Sequence, residues 1–136
     1  PSALACEAGK RVRQASPTSR AAEAGGDVVI GDGGRTRGGV EYEAALGADS
    51  VRGVTNSPPY AYTFNTTFAS APTVAVVTMA GMDGGNGGWA QVHGSTMATT
   101  TSLYLSIDED QIGDSERNHT PEQVGYVAFA GAGVYP

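Results

Sequence analysis

LYLSIDEDQIGDSERNHTPEQVGYVAF, residues 103–129, decides the fold. It opens as a strand, because Leu103, Leu105 and Ile107 alternate with Tyr104 and Ser106. It closes as a strand in which Val124, Tyr126 and Ala128 point one way and Val127 and Phe129 the other. Between the two lie Asp108, Glu109, Asp110, Asp114, Glu116, Arg117, Asn118, His119 and Glu122. A polar segment that dense, hung between two apolar strands, is a rim loop on a β-scaffold, and rim loops usually carry function.

Working outward, Trp89, Gln91 and His93 alternate with Ala90 and Val92, after the glycine hairpin AGMDGGNGG. TVAVVTM (residues 73–79) is almost wholly apolar and β-branched, the pattern of a central strand. Tyr60, Tyr62, Phe64 and Thr66 share one face, with Ala61, Thr63 and Asn65 on the other. Residues 51–55 read as a short strand, and Val40, Tyr42 and Ala44 alternate with Glu41, Glu43 and Ala45. GDGGRTRGG (residues 31–39) lacks the Gly-Lys-Ser/Thr of a phosphate loop and reads as a backbone turn. Short strands, turn signals every ~8–12 residues and no convincing helix predict an all-β antiparallel sandwich. Its expected core contains Phe64, Val74, Val76, Leu105 and Tyr126.

The organisation expected is an extended N-terminal leader over residues 1–27 and one sandwich domain over 28–136. At 136 residues the chain buries about two-thirds of its unfolded surface. It contains no run of about 20 apolar residues, so no membrane-spanning helix is expected. The chain begins at Pro1, which fits either a processed mature protein or a sequence that starts within a longer one. Its one cysteine, Cys6, has no intrachain partner and leaves an inert thiol or an intermolecular bridge.

Charge is unevenly distributed. Residues 1–20 carry Lys10, Arg11, Arg13 and Arg20 against Glu7, a net of +3; the whole chain is −6, so the remainder is −9. A basic tail on an acidic body does not suit nucleic acid, which wants a basic face on the folded domain. It suits a tail that docks on another copy. The contacts expected there are Leu4, Arg11, Val12 and Arg13, with the apolar strand Val28-Val29-Ile30 completing a sheet edge.

FxxxFxxxPxVxV occurs as Phe64, Phe68, Pro72, Val74 and Val76, followed by a glycine hairpin, a strand, and a last strand ending in an aromatic. This arrangement resembles the H-type lectin-like β-sandwich of secreted proteins over residues 60–130. DSERNHTPEQVGYVAF (residues 114–129) resembles a recurrent ending of large extracellular surface proteins. The resemblance implies an extracellular, secreted or cell-surface location and a sugar-binding function. Independently of it, Trp89 is a candidate for stacking on a sugar ring, with His93 on the same strand face.

Asn65-Thr66-Thr67 and Asn118-His119-Thr120 are N-glycosylation sequons. DEDQIGDSE (residues 108–116) resembles part of a calcium loop, with Asp108, Asp110, Asp114 and Glu116 as the candidate Ca²⁺ ligands. It is not an EF-hand, because Ile112 occupies an oxygen-ligand position and His119 falls where the closing Glu belongs. Two distant histidines and one leader cysteine do not make a zinc site. No Gly-x-Ser-x-Gly elbow is present. The expected function is that of a non-enzymatic extracellular subunit polymerising with itself into a glycosylated fibre or coat. The alternative is a carbohydrate-binding module.

Overall fold

The computed structural model describes residues 35–37, 40–113 and 115–131. The expectations placed on Leu4, Cys6, Arg11, Val12, Arg13, Val28, Val29, Ile30 and Asp114 lie outside those residues. The described chain is all β: β1 (Arg35–Arg37), β2 (Val40–Val51), β3 (Tyr60–Thr63), β4 (Val74–Met79), β5 (Gly88–Val92), β6 (Ser102–Glu109) and β7 (Glu122–Ala130). They form two antiparallel sheets, ordered β1-β2-β7-β4 and β3-β6-β5. Strand β2 packs on β3 and β4 on β5, so the sheets stack as a sandwich.

The alternation in the decisive stretch holds. Leu103, Leu105 and Ile107 of β6 are fully buried, and Val124, Tyr126 and Ala128 of β7 meet them from the other sheet. Aromatics close one end of this core: Phe64 packs edge-on against Phe68 with ring centroids 4.8 Å apart and lies 6.0 Å from Tyr126. Full burial of each large apolar side chain stabilises the fold by about 1.5–3 kcal/mol.

Four expectations are corrected. TVAVVTM is not central: β4 is an edge strand, paired only with β7 among the described strands. Val74 and Val76 are not in the core; they are 48% and 63% exposed, and Ala75, Val77 and Met79 pack on the core instead. The register explains it. Val77 lies across from inward-facing Tyr126, and Val76 across from Val127 on the outer face. A strand apolar on both faces looks central in sequence even when one face is uncovered. Third, the turn expected over residues 31–39 contains strand β1, which pairs with β2 from Arg35–Tyr42 to Arg37–Val40. Fourth, the short strand expected at 51–55 is not separate. Val51 ends the long β2, whose register shifts between Leu46 and Asp49 and again before Val51. Past those irregularities Val51 is fully buried in the core.

Candidate functional site

Three loops meet at one rim of the sandwich: residues 52–59, 80–87 and 110–121. What joins them is a buried polar cluster. Glu109 ends β6 and Glu122 begins β7, so the two strands of the decisive stretch each deliver a carboxylate to the same end. His119 lies between them. Its Nε2 is 2.9 Å from Glu122 Oε1 and its Nδ1 is 3.4 Å from Glu109 Oε2. All three residues are at most 4% exposed.

Backbone donors surround the cluster. The N–H groups of Asp83 and Gly84 donate to Glu122, at 2.8 and 3.0 Å to Oε1. Asn86 donates its side-chain amide to Glu109. The His119 N–H donates to Asn56 Oδ1 at 2.8 Å, and the Gly53 N–H donates to the same oxygen at 3.0 Å. Gly84 has to be glycine here, because a Cβ would sit 2.6 Å from the imidazole Cε1. Burial alone pushes the Glu122 carboxyl up. The Gly84 and Asp83 N–H groups and the His119 ring outweigh burial and hold its pKa below the ordinary carboxylate value.

This arrangement fastens loops. The two ring nitrogens of His119 point in opposite directions at different carboxylates, so they do not converge with them on a common metal position. Among the described residues no group of three or more His, Cys, Asp and Glu is arranged to hold a metal ion. Of the candidate calcium ligands, Asp108 accepts two bonds from Arg117, the Nε one at 2.7 Å. Asp110 Oδ1 accepts the Ile112 N–H at 3.0 Å, and Glu116 accepts the Asn118 N–H at 2.8 Å. A cleft of about 230 Å³ opens beside the cluster, lined by Gly84, Asn86, Glu116, Asn118 and Thr120 among others.

A second buried carboxylate works the same way at the opposite rim. Glu43 accepts the Tyr126 hydroxyl at 2.6 Å and the N–H groups of Asn65 and Thr66 at 3.0 and 3.1 Å. Burial, and then the Glu43 carboxylate, raise the Tyr126 hydroxyl pKa well above its ordinary value. Both sequons sit on these rims. Asn65 and Asn118 are exposed. Asn118 Oδ1 accepts from Thr55 and Asn56, and its Nδ2, the atom a glycan takes, has no hydrogen-bond partner among the described residues.

The two outer faces differ in kind. On the three-stranded sheet, Trp89 is 52% exposed and pairs across from Asp108. Beside it, Gln91 Nε2 donates to Ser106 Oγ at 3.2 Å, and His93 Nδ1 lies 3.1 Å from the same oxygen. The predicted sugar-contact pair, Trp89 and His93, therefore shares a polar and aromatic face. On the four-stranded sheet, three rows cross the strands: Tyr42–Phe129–Val74, Ala44–Val127–Val76 and Leu46–Gly125–Thr78. None of these positions on β2, β7 and β4 is charged, and β1 continues the first row with Arg35 across from Tyr42. Tyr42 and Ala44 are buried, whereas Leu46, Val74 and Val76 are 58%, 48% and 63% exposed. A shallow groove of about 320 Å³ runs over Gly125 between Leu46, Val76 and Thr78.

Sequence reasoning missed Glu43, Asn56, Glu109 and Glu122 as buried anchors. Strand parity was the available signal for Glu43 and Glu109. Glu43 shares a face with Ala45, and Glu109 shares one with Leu105 and Ile107. Nothing local marks Asn56, whose partners Gly53 and His119 are brought together only by the fold. No known protein family, curated protein or solved structure matches this chain.

Proposed function

We propose that this protein is a non-enzymatic structural subunit of an extracellular fibre or coat. Copies join head to tail through the N-terminal leader, and Asn65 and Asn118 carry N-glycans. The observation that carries this reading is the uncharged outer face of β2, β7 and β4 from Tyr42 to Leu46, with Leu46, Val74 and Val76 exposed on it. Exposed apolar patches of this kind mark interaction surfaces. The sheet is also open at its edges among the described residues, since β4 pairs only with β7, and β2 beyond Tyr42 has a partner only in β7. Unprotected edges invite strand addition, and a head-to-tail contact that does not close builds a filament.

A second reading, carbohydrate binding, is favoured by the exposure of Trp89 among Gln91, His93 and Asp108. One experiment separates the two. Full-length protein and a form lacking residues 1–30 are compared by gel filtration, negative-stain microscopy and retention on immobilised sugars. The fibre reading expects heterogeneous polymers that become a folded monomer on truncation. A defined small oligomer retained by sugar resin, and released from it by Trp89→Ala, favours the second reading and overturns the first.

A further inference from the structure

The four-stranded sheet ends differently at its two edges. One edge strand is β1, which carries Arg35 and Arg37. The other is β4, VAVVTM, which has no charged residue, no proline and no glycine. Its register with β7 runs unbroken from Val74 to Met79. Natural edge strands are blunted by charge, proline or a bulge, and β4 has none of these. It is also open to solvent. Val74, Val76 and Thr78 are exposed, and Ala75, Val77 and Met79, although they pack against the core, are only half-buried. Beneath them lies β5, an edge strand of the other sheet, whose inward residues Ala90 and Val92 are half-buried as well.

The ladder shows which backbone groups of β4 are free. The Ala80 N–H donates to the Gln123 carbonyl at 2.8 Å, which continues the β4–β7 register by one residue. Hydrogen-bonded pairs alternate along an antiparallel ladder. Val74, Val76 and Thr78 therefore turn their backbone groups to β7, and Ala75, Val77 and Met79 turn theirs to the free side. The Met79 carbonyl accepts the Thr78 hydroxyl at 3.2 Å, as a carbonyl without a strand partner can.

A strand added here pairs with Ala75, Val77 and Met79, and β4 itself matches that requirement. Set antiparallel about Val77, two copies place Val77 across from Val77, small Ala75 across from long Met79, and Val76 across from Thr78. The two-fold axis stands normal to the sheet, so inward residues meet inward residues and outward residues meet outward ones. Charge points to the same partner. The chain carries a net −6, so two copies repel as whole bodies, and contact is least opposed where neither surface is charged. We infer that β4 pairs antiparallel with β4 of a second copy, joining the two four-stranded sheets into one continuous sheet. Main-chain hydrogen bonds supply the affinity. The contact is isologous and closes at two copies, so it does not rest on the head-to-tail contact of the leader.

The test uses the full chain in a Cys6→Ser background, with Val76→Cys and Thr78→Cys made as separate proteins. Both positions are exposed, so the fold does not depend on them. In the proposed pairing they form a non-hydrogen-bonded pair with Cα atoms ~4.5 Å apart, within disulfide reach. Mixed and oxidised, the two proteins are expected to form a disulfide with each other, located by mass spectrometry, and either alone should cross-link at least tenfold less. A charge exchange at the same positions gives an independent reading. Val76→Asp with Thr78→Asp, and Val76→Lys with Thr78→Lys, each set like charges across the seam, which destabilises the pair. Below the concentration at which polymers form, the parent is expected to sediment as a dimer, each variant alone as a monomer, and their equimolar mixture as a dimer. No mixed disulfide, equal cross-linking of either cysteine protein with itself, like-charged variants that associate as the parent does, or an opposite-charge mixture that stays monomeric overturns the inference. The disulfide is read whether or not fibres form, so its failure is distinct from failure of the fibre reading.

Discussion

Glu122 shows why a carboxylate is kept inside an otherwise apolar sandwich. It is 1% exposed, and two backbone N–H groups and an imidazole converge on it from two different loops. Removing one member of such a buried set leaves the others unpaired, at a cost of about 3 kcal/mol or more. The direction of its pKa shift fixes a pH dependence. A carboxyl whose folded pKa is depressed adds stability above its unfolded value, ~4.3, and loses it as pH falls through the folded value. We expect the melting temperature to drop as pH is lowered from about 5 through the unfolded carboxyl value, ~4.3, and below it. Glu122→Gln should start lower at neutral pH and decline less on acidification. Thermal melts of the two proteins across that range check this, and equal acid-side slopes would count against the role given to Glu122. Little of this cluster was legible in the sequence. His119 and the acids around it read as a surface loop because their partners, Asn56 and Asp83, come from loops distant in sequence.

At the scale of the element, β4 carries the clearest lesson. Its alternation was visible, but its phase was not, because Val74, Val76, Val77 and Met79 make both faces apolar. Phase came from register with β7, which sets Val77 across from inward-facing Tyr126 and Val76 across from Val127. By contrast, the phases of β6 and β7 were legible, since Ser106, Gly125 and Gln123 leave only one consistently apolar face on each strand. The prediction that follows compares the two sides. Leu105→Ala, in the packed interior, should cost about 2–5 kcal/mol. Val76→Asp, on the outer face, should change stability by no more than about 0.5 kcal/mol, while impairing self-association. Urea denaturation measures the first effect and gel filtration of the same samples the second. A Val76→Asp protein that fails to fold would place Val76 in the interior, against the register.

Across the whole molecule, a basic leader and an acidic body oppose each other in sign, and salt should show which contact dominates assembly. Two electrostatic effects compete. In the proposed fibre the leader, net +3 over residues 1–20, would be attracted to the body of the next copy, and the bodies, sharing the remaining −9, would repel one another. Screening weakens both, but at different ionic strengths. If the leader docks as proposed, its attraction acts at contact range, whereas repulsion between bodies acts over the larger distance between their centres. The Debye length is ~30 Å at 0.01 M and ~10 Å at 0.1 M. Body repulsion is therefore mostly screened by about 0.1 M, while the close leader contacts still act there. Raising salt from about 0.1 to about 0.5 M should slow assembly, because what remains to be screened is attraction. Arg11→Glu with Arg13→Glu should assemble more slowly at about 0.1 M and lose most of that salt dependence. Light scattering at matched concentrations measures both rates. Assembly that accelerates over this salt range would mean that body repulsion controls the rate and that the leader's charge does not guide docking.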